Sequence, residues 1–587
     1  MSKRNKRASR SRQSAASPAR GPAARAKSWL PAAAAVALGA GVYLGTLDHP
    51  FVYDDIPGIV DNESIRYLGR ADKLGWILRY SPFRPLVNLS FAVDHAIWGL
   101  DPFGYHLTSL LLHAVVVGAL FFFARGLFPP ARDGVTVWDG TWGPAFAVAA
   151  IFAVHPITTE AVGYASGRSE VLCGAFFLGA LLAFRGWAMK PAVSRWLATV
   201  GLFAAAALSR EVGATWPVVA VLYDRLVLCA AGPDGDRDGW RHRWRRLHLP
   251  LLSLVAAGAV LRLWRFLVFE TAELPRPVWQ NVMSEWEVVW RYVGLLFAPV
   301  GQSIVHPAQR VASPLDVGAL TAGVGSAGLV AFAWWVRRRL PEVSLGTAWL
   351  LLVLAPSSSL IPLNELMAEH RVYLAAVGWT IAVVAAAVAG SRRLPAERRW
   401  ILRAALVVVL AVLGAATVVR NRVWADRLTL WRDAARKAPR TWRAVWGLAE
   451  AQRATGGCEA AVETYLEAAR LLPEDRHTQE TLGLCLAQVG RHREAEAVFG
   501  GMIARDPRDR PAIDYLAQVA LVTGRPDLAI ELSRRALALD SADVHARVNL
   551  VNALRASGGD PDEIRRLCGE IRELAPDTPG IDSCAGS

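Results

Sequence analysis

The hydrophobic and polar positions divide the chain into two parts that meet near residue 440. Before that point, long apolar stretches alternate with polar connections, and most stretches approach the roughly 20 residues that a helix needs to cross a bilayer. Residues 286–300 are apolar but short and carry Glu287 and Arg291, which predicts an interfacial or re-entrant segment rather than a span. The remaining stretches predict eleven spans, at residues 29–47, 106–128, 143–162, 169–187, 195–209, 212–229, 249–269, 316–336, 345–362, 372–390 and 401–419.

The second part repeats every 34 residues, with one phase marked by proline and another by glycine. This period is typical of tetratricopeptide repeats, each of which is a helix, a turn and a second helix. Small residues let the paired helices approach closely, and the fourth repeat, from Val544, is predicted to cap the array. The marking residues are Pro439, Pro473 and Pro507, then Gly456, Gly490, Gly524 and Gly558.

Together these patterns predict an all-α chain in which a polytopic membrane domain precedes an α-solenoid. The predicted parts are a basic N-terminal tail (1–28), a membrane domain (29–419) with a first external loop (48–105), a connector (420–441) and a repeat domain (442–580). A cleaved signal peptide is the alternative for residues 29–47. The concave repeat surface is predicted to bind an acceptor polypeptide or a partner enzyme, or only to stabilise assembly.

The distribution of charge predicts which side of the membrane each connecting segment faces. The net charge of +14 sits largely in short loops between apolar segments, which favours positive-inside orientation in a bacterial inner membrane over binding of nucleic acid. With a cytoplasmic N-terminus, alternation places the basic loops inside. It places residues 48–105, 155–168, 270–315 and 357–371, and the repeat tail, outside. A twelfth crossing by residues 286–300 would reverse the last spans and the tail.

The predicted external face collects the ionisable residues. Asp54 and Asp55 follow the first span, where two adjacent carboxylates at low dielectric would raise one pKa or attract a cation or a substrate hydroxyl. A solvated turn before Pro57 is the alternative. The other candidates are predicted to contact a sugar or a lipid phosphate: His155, Glu160, Arg168, Arg210, Glu211, Glu369, His370 and Arg371. For those between residues 155 and 170, a solvated connection between helices is the alternative.

Other chemistries lack a sequence pattern. The six cysteines form no CxxC pair and no cluster with histidine, so neither a zinc site nor a redox dithiol is predicted, while disulfides in the tail stay open. No phosphate-binding glycine loop is present. The sequence therefore requires no cofactor, and it leaves a divalent metal open.

A carboxylate pair, basic residues and an apolar surround suit a sugar that is joined through phosphate to a polyprenyl chain. The chain would lie among membrane lipids, the phosphate at the interface and the sugar in water. An aspartate would accept the proton of an attacking hydroxyl, while arginine or histidine would stabilise the departing phosphate.

At these residues the chain resembles the transmembrane and tetratricopeptide-repeat-containing O-mannosyltransferases and their bacterial relatives. The motifs are FVYDD (51–55), FRPLVNLSFAVDHAIWGLDPFGYHLTSLLLH (83–113), FAVHPITTEAVGYASGRSEVL (152–172), SRE (209–211), PSSSLIPLNELMAEHRVYL (356–374) and RNRVW (420–424). The resemblance implies a polytopic GT-C-type glycosyltransferase that uses lipid-phosphate sugars, of which mannose is the best known for the family. It also implies that the acidic pair lies in the catalytic region and that the tail is external.

Two departures from the family pattern concern the donor and acceptor. The family commonly reads Glu-Arg before Tyr-Leu-Pro, whereas this chain reads Glu369, His370 and Arg371 before Val-Tyr-Leu-Ala, and a Lys-Glu pair is more usual where Arg210 and Glu211 stand. Transfer to a hydroxyl of an exported protein is the leading hypothesis. The alternatives are a cell-envelope glycan or lipid acceptor, and a non-enzymatic membrane scaffold or permease.

Overall fold

The computed structural model describes residues 29–128, 142–231, 236–270, 274–307, 311–358 and 361–576. Every regular element in these ranges is a helix, which confirms the predicted all-α class. The basic tail (1–28) and residues 577–580 of the predicted repeat domain lie outside them. The α-helices are α1 Leu30–Tyr43, α2 Leu74–Tyr80, α3 Pro85–Trp98, α4 Pro102–Leu127, α5 Trp142–Val154, α6 Thr159–Val162, α7 Arg168–Met189, α8 Val193–Ser209, α9 Trp216–Tyr223, α10 Cys229–Ala231, α11 Arg237–Arg243, α12 Leu249–Arg265, α13 Val278–Phe297, α14 Val317–Val336, α15 Pro341–Leu354, α16 Tyr373–Ser391, α17 Trp400–Val423, α18 Arg427–Lys437, α19 Trp442–Leu471, α20 Arg476–Gln488, α21 His492–Arg505, α22 Arg510–Val522, α23 Pro526–Leu539, α24 Val544–Ser557 and α25 Pro561–Leu574.

Several helices are long and apolar enough to cross a membrane, so the chain is a multi-pass membrane protein. Six such helices lie in the described ranges, and a seventh is added if the pair 143–154 and 156–162, bent by 53°, is one span. Three shorter apolar helices are Leu30–Thr46, Val193–Ser209 and Pro341–Leu354. The count of eleven spans stays a prediction. The six are Pro102–Leu127, Ala165–Met189, Arg237–Phe269, Val317–Val336, Glu369–Ser391 and Trp400–Val423.

Two apolar segments differ in shape from a simple span. Residues 212–229 begin with a 3₁₀ turn and continue from Trp216 as a helix that contains a π-helical segment at Asp224–Leu228. Residues 286–297 belong to the uninterrupted helix α13, which favours the interfacial alternative over a re-entrant loop.

Close backbone contact between two helices consolidates the membrane core. A Cβ atom on Gly346 of α15 would lie 2.4 Å from the carbonyl oxygen of Gly378 on α16, and one on Gly378 would lie 2.6 Å from the Gly346 oxygen. Small residues permit such an approach, and the association then depends on van der Waals packing. Trp349 packs over Gly378, and its ring contacts the fully buried Phe123 and Phe177.

The tail forms the predicted helix pairs. Gly490, Gly524 and Gly558 each have a positive φ at a turn between paired helices, where glycine carries no Cβ penalty. In the first repeat Gly457 takes this conformation instead of Gly456, and α19 is two helices that meet there. Gly483 faces Phe499, whose ring would lie 2.5 Å from an added Cβ.

A buried cluster joins the first repeat to the membrane part. Trp431 of α18 packs over Gly447 of α19, and the same apolar cluster contains Val52 from the first loop and Tyr164 from the 163–167 turn. The first repeat is therefore fixed against the face that carries the acidic pair.

This joint makes Gly447 sensitive to added volume. A Cβ there would lie 2.1 Å from the Trp431 ring, so we expect Gly447→Ala to destabilise the protein by about 1–3 kcal/mol through overpacking. Gly500→Ala is the matched control, because it lies in a repeat helix with nothing within 4 Å. Thermal unfolding of the detergent-purified chain measures both; equal midpoints would contradict the packing.

A disulfide between Cys458 and Cys485 links the helices of the first and second repeats, with Cα atoms 4.9 Å apart. Disulfides persist in oxidising compartments such as the periplasm. We therefore expect both thiols to resist maleimide alkylation in freshly isolated, denatured membranes until a reductant is added. The free thiols of Cys173 and Cys229 should react without reductant and serve as the internal reference. Full alkylation of Cys458 and Cys485 without reductant would indicate a reducing compartment.

Candidate functional site

A cavity of about 250 Å³ opens between the first loop, the 163–169 turn and the start of the span that begins at Glu369. Three of the predicted site residues line it: Asp54, Arg210 and His370. Its other lining residues combine hydrogen-bonding groups with one further guanidinium, a mixture that suits a polar ligand at an apolar edge. They are Gly58, Asn62, Tyr80, Ser81, Arg84, Val87, Asn88, Phe91, Tyr164, Ser166, Gly167 and Ser169.

The two adjacent aspartates have different environments. Asp55 is fully buried, and its carboxylate accepts hydrogen bonds from the amide of Val52 (3.1 Å) and from the amide and hydroxyl of Ser166 (both 2.7 Å). Asp54 is exposed to the cavity, and its backbone amide donates to the Tyr164 hydroxyl at 2.9 Å. Asp54 thus faces a ligand, whereas Asp55 ties the loop to the 163–167 turn.

Both carboxyl groups have raised pKa values. Burial raises the pKa of Asp55 to about 7, against the opposing effect of its hydrogen bonds. Burial, followed by repulsion from the Glu365 carboxylate, raises the pKa of Asp54 above its ordinary value. A carboxylate of raised pKa is a stronger base, which is the property that proton abstraction from a hydroxyl requires.

Two guanidinium groups form the basic side of the cavity. Arg210 is almost fully buried, pairs with Glu170 at 2.9 Å and donates to the Ser169 hydroxyl at 2.7 Å. Arg84 pairs with Glu211 at 3.3 Å, beside the cavity. Burial alone raises the pKa of Glu211, but Arg210 and Arg84 outweigh it and hold that pKa below the ordinary value. Each guanidinium keeps donors for an anionic ligand because it has five N–H groups.

His370 lines the cavity, and buried carboxylates lie behind it. Its Nδ1 lies 2.5 Å from Glu160, which leaves Nε2 as the ring nitrogen available to a ligand. Glu369 is fully buried and accepts hydrogen bonds from Gln302, the Ser303 amide and His306 at 2.6–2.9 Å. Glu160 and Glu369 thus lie behind the cavity wall rather than on it.

The remaining predicted residues hold backbone segments together. Fully buried Arg168 pairs with Asp94 at 2.5 Å and donates to the Tyr105 carbonyl at 2.6 Å. His155 accepts from the Ile157 amide and lies 3.0 Å from the Leu296 carbonyl. Arg371 donates to the carbonyls of Leu366 and Glu365.

Sequence reasoning missed several cavity residues, chiefly Arg84, Asn88 and Tyr164. One signal was available for Arg84: it is a charge in an apolar loop, directly before the proline that starts α3. Asn88 gave none, because its amide is engaged by Ser64 and Ile77 and its place at the cavity depends on the tertiary fold. Among the described residues, no group of three or more His, Cys, Asp or Glu side chains could hold a metal ion.

Comparison with known proteins finds relatives that match most of the chain. The Drosophila melanogaster protein O-mannosyl-transferase Tmtc3 is 25% identical over 551 residues, or 81% of this chain and 59% of that protein. Mus musculus TMTC3 is 24% identical over 92% of this chain and 60% of its own length, and Mus musculus TMTC2 is 36% identical over 32% of this chain and 23% of its own. This chain is homologous to TMTC O-mannosyl-transferases over most of its length. The resemblance predicted from the motifs is thereby confirmed.

The chain spans between 23% and 60% of the length of these curated relatives. No family model matches it. Among solved structures, ArnT from Cupriavidus metallidurans bound to undecaprenyl phosphate superposes with a TM-score of 0.34, at 17% identity and with 82% of this chain and 81% of that chain covered. The tetratricopeptide protein YrrB gives 0.26 at 14% identity, covering 30% and 89%. Neither superposition is close enough to assign a fold or a role to this chain.

Substitution of a fully buried arginine should destabilise the protein more than substitution of an arginine at the cavity. Removing Arg168 leaves Asp94 buried without its charge partner, so we expect Arg168→Gln to cost about 3–5 kcal/mol. Arg84, 38% exposed in its pair with Glu211, should cost less than about 1 kcal/mol in Arg84→Gln. Thermal unfolding in detergent compares the two variants. A larger loss for Arg84→Gln would contradict this division.

Proposed function

We propose that the chain is a membrane glycosyltransferase that moves a sugar from a polyprenyl-phosphate carrier to a hydroxyl group of an exported protein. The single observation that carries this proposal is a cavity in which a carboxylate of raised pKa, Asp54, faces two guanidinium groups. Homology to O-mannosyl-transferases supports protein as acceptor and mannose as the donor sugar.

The surface beside the cavity suits a lipid-linked donor. Phe83 and Tyr80 are 64% and 46% exposed and adjoin Arg84, so an apolar approach leads directly to a cation. A polyprenyl chain would lie along such a surface within the outer leaflet, while its phosphate would meet Arg84 and Arg210. Guanidinium groups bind phosphate oxygens with two parallel hydrogen bonds, which orients the group as well as stabilising it.

The reaction exchanges one bond at the anomeric carbon. The acceptor hydroxyl oxygen forms a bond to the sugar C1 as the bond between C1 and the phosphate oxygen breaks. The polyprenyl phosphate leaves with the electron pair, and Asp54 accepts the hydroxyl proton. Arg84 and Arg210 stabilise the charge that develops on the leaving phosphate.

In this scheme the other predicted residues support those at the cavity. Asp55 holds the loop, Glu160 orients His370, and Glu211 and Glu170 hold the two arginines. Glu369, Arg168, His155 and Arg371 fix the segments behind them. The repeats would hold the acceptor on the outer face of the membrane, and the Cys458–Cys485 disulfide supports that side for the tail.

The base is tested by Asp54→Asn, which keeps the shape of the side chain but removes proton acceptance. We expect transfer of mannose from undecaprenyl-phosphate mannose to a Ser/Thr-rich peptide to fall by about a hundred-fold or more in kcat. Scintillation counting and intact-peptide mass measure the product in reconstituted liposomes.

Asp61→Asn is the matched control, since Asp61 is exposed in the same loop and lies outside the cavity. It should transfer at the wild-type rate. Transfer by Asp54→Asn at the wild-type rate would overturn the proposed function. If a deletion strain lost a lipid or polysaccharide product and kept its protein glycosylation, the acceptor would be a cell-envelope glycan or lipid instead of a protein.

A further inference from the structure

A charged side chain of the first repeat contacts the first loop. Arg443, the second residue of α19, donates a short hydrogen bond from Nη2 to the Tyr53 hydroxyl and pairs with Glu365 at 3.2 Å. The Tyr53 hydroxyl in turn donates to Glu365 at 2.9 Å. Three groups from the repeat domain, the first loop and the segment before His370 thus share one contact.

Tyr53 is the residue directly before Asp54, and it has an unusual backbone. Its φ is +53°, in the left-handed region that a residue with a Cβ atom rarely adopts. Such a conformation persists only where surrounding contacts hold it, and it is characteristic of functional sites. The contacts here are the Arg443 and Glu365 bonds, the Trp431 ring at 5.5 Å and the Tyr164 ring at 6.4 Å.

The turn that follows is short and depends on this residue. The amide of Asp55 donates to the Val52 carbonyl, that of Ile56 to Tyr53, and that of Gly58 to Asp54. A change in the backbone at Tyr53 would therefore alter the direction of the Asp54 side chain, one residue further on.

Rigid packing behind Arg443 gives it a fixed position. Ala444 and Ala451 of the same helix are fully buried against the cluster that contains Trp431 and Val52. The Arg443 guanidinium carbon lies 5.5 Å from the centre of the Tyr53 ring, which adds a cation-π contact. The side chain thus acts from a helix that cannot shift independently of the loop.

We infer that Arg443 is a positioning residue: through Tyr53 and Glu365, the first repeat holds the 51–58 turn in the conformation that directs Asp54 into the cavity. The repeats are then a structural part of the active site, and not only a tether for an acceptor. This inference rests on the proposed function, because it assigns Asp54 the role of base.

Arg443 also acts on the charge of Asp54. The charged and titratable groups around Asp54 are Tyr53, Asp55, Glu160, Tyr164, Glu365 and Arg443, together with Arg84, Arg210 and His370 on the other walls of the cavity. Arg443 is the cation among them that lowers the pKa of Asp54 and so favours its carboxylate. Removing its charge raises the pKa of Asp54, so the carboxylate is lost at a higher pH on acidification.

The experiment compares the full-length Arg443→Gln and Arg443→Lys variants with the wild type in detergent and in liposomes. Hydrogen exchange at the amides of Asp55, Ile56 and Gly58 reports the turn without needing a substrate. We expect faster exchange in Arg443→Gln.

Transfer kinetics with undecaprenyl-phosphate mannose and the peptide give the second readout. In Arg443→Gln we expect kcat to fall by about ten- to a hundred-fold with little change in peptide KM, and the acid limb of the rate profile to move to higher pH. Arg443→Lys should restore the limb, because it restores the charge, but kcat only in part.

Arg534→Gln is the matched control, since it breaks an arginine–glutamate pair of 3.1 Å on a later repeat helix. It should match the wild type in exchange at the turn and in the acid limb. Unchanged exchange in Arg443→Gln, or an unchanged acid limb, would overturn the inference. Failure of the proposed function is distinguished by Asp54→Asn, which would then transfer normally, while the exchange measurement still decides whether Arg443 holds the turn.

Discussion

The site is organised by one buried carboxylate that accepts three hydrogen bonds. Asp55 binds the Val52 amide and both the amide and hydroxyl of Ser166, and these bonds close the first loop onto the turn between two apolar segments. A buried carboxylate that lost these donors would be strongly destabilising, so the loop and the turn must stay together. That closure places Asp54 on one side of the cavity and Tyr164, Ser166 and Ser169 on the other.

Charged residues around the cavity fall into two groups. Fully buried pairs, such as Arg168 with Asp94, fix segments and leave nothing for a ligand. The pairs of Arg210 with Glu170 and of Arg84 with Glu211 lie at the cavity and keep donors toward it. Charges inside the hydrocarbon region are expensive unless they are paired or hydrated. The proposed lipid-phosphate donor would require cations at the cavity, and pairing with carboxylates provides them without unpaired buried charge.

The sequence predicted those features that depend on composition and period. The helical class and the repeats follow from apolar length and the 34-residue spacing, and the structure has both. The sequence predicts that the ionisable clusters share one face, and Asp54, Arg210 and His370 from three of them line one cavity, while their roles stay a prediction. The sequence does not distinguish Asp54 from its neighbour Asp55, because that difference comes from a positive φ at Tyr53 and from Ser166, 111 residues away from Asp55 along the chain. It does not separate buried Arg168 from cavity-lining Arg84 either, because the difference is the contact with Asp94 across two helices.

The attachment of the repeats has a consequence for how an acceptor would be held. A tethered binding module raises the local concentration of its ligand by an amount that depends on linker length. Here the linker is helix α18, packed through Trp431 against the first repeat, so distance and orientation are both fixed. An acceptor chain bound along the repeats would enter the cavity at a defined register, which places particular hydroxyls next to Asp54. Under the proposed function, selection among the serines and threonines of one acceptor would then follow from distance along the repeats, even where the cavity itself recognises only a hydroxyl.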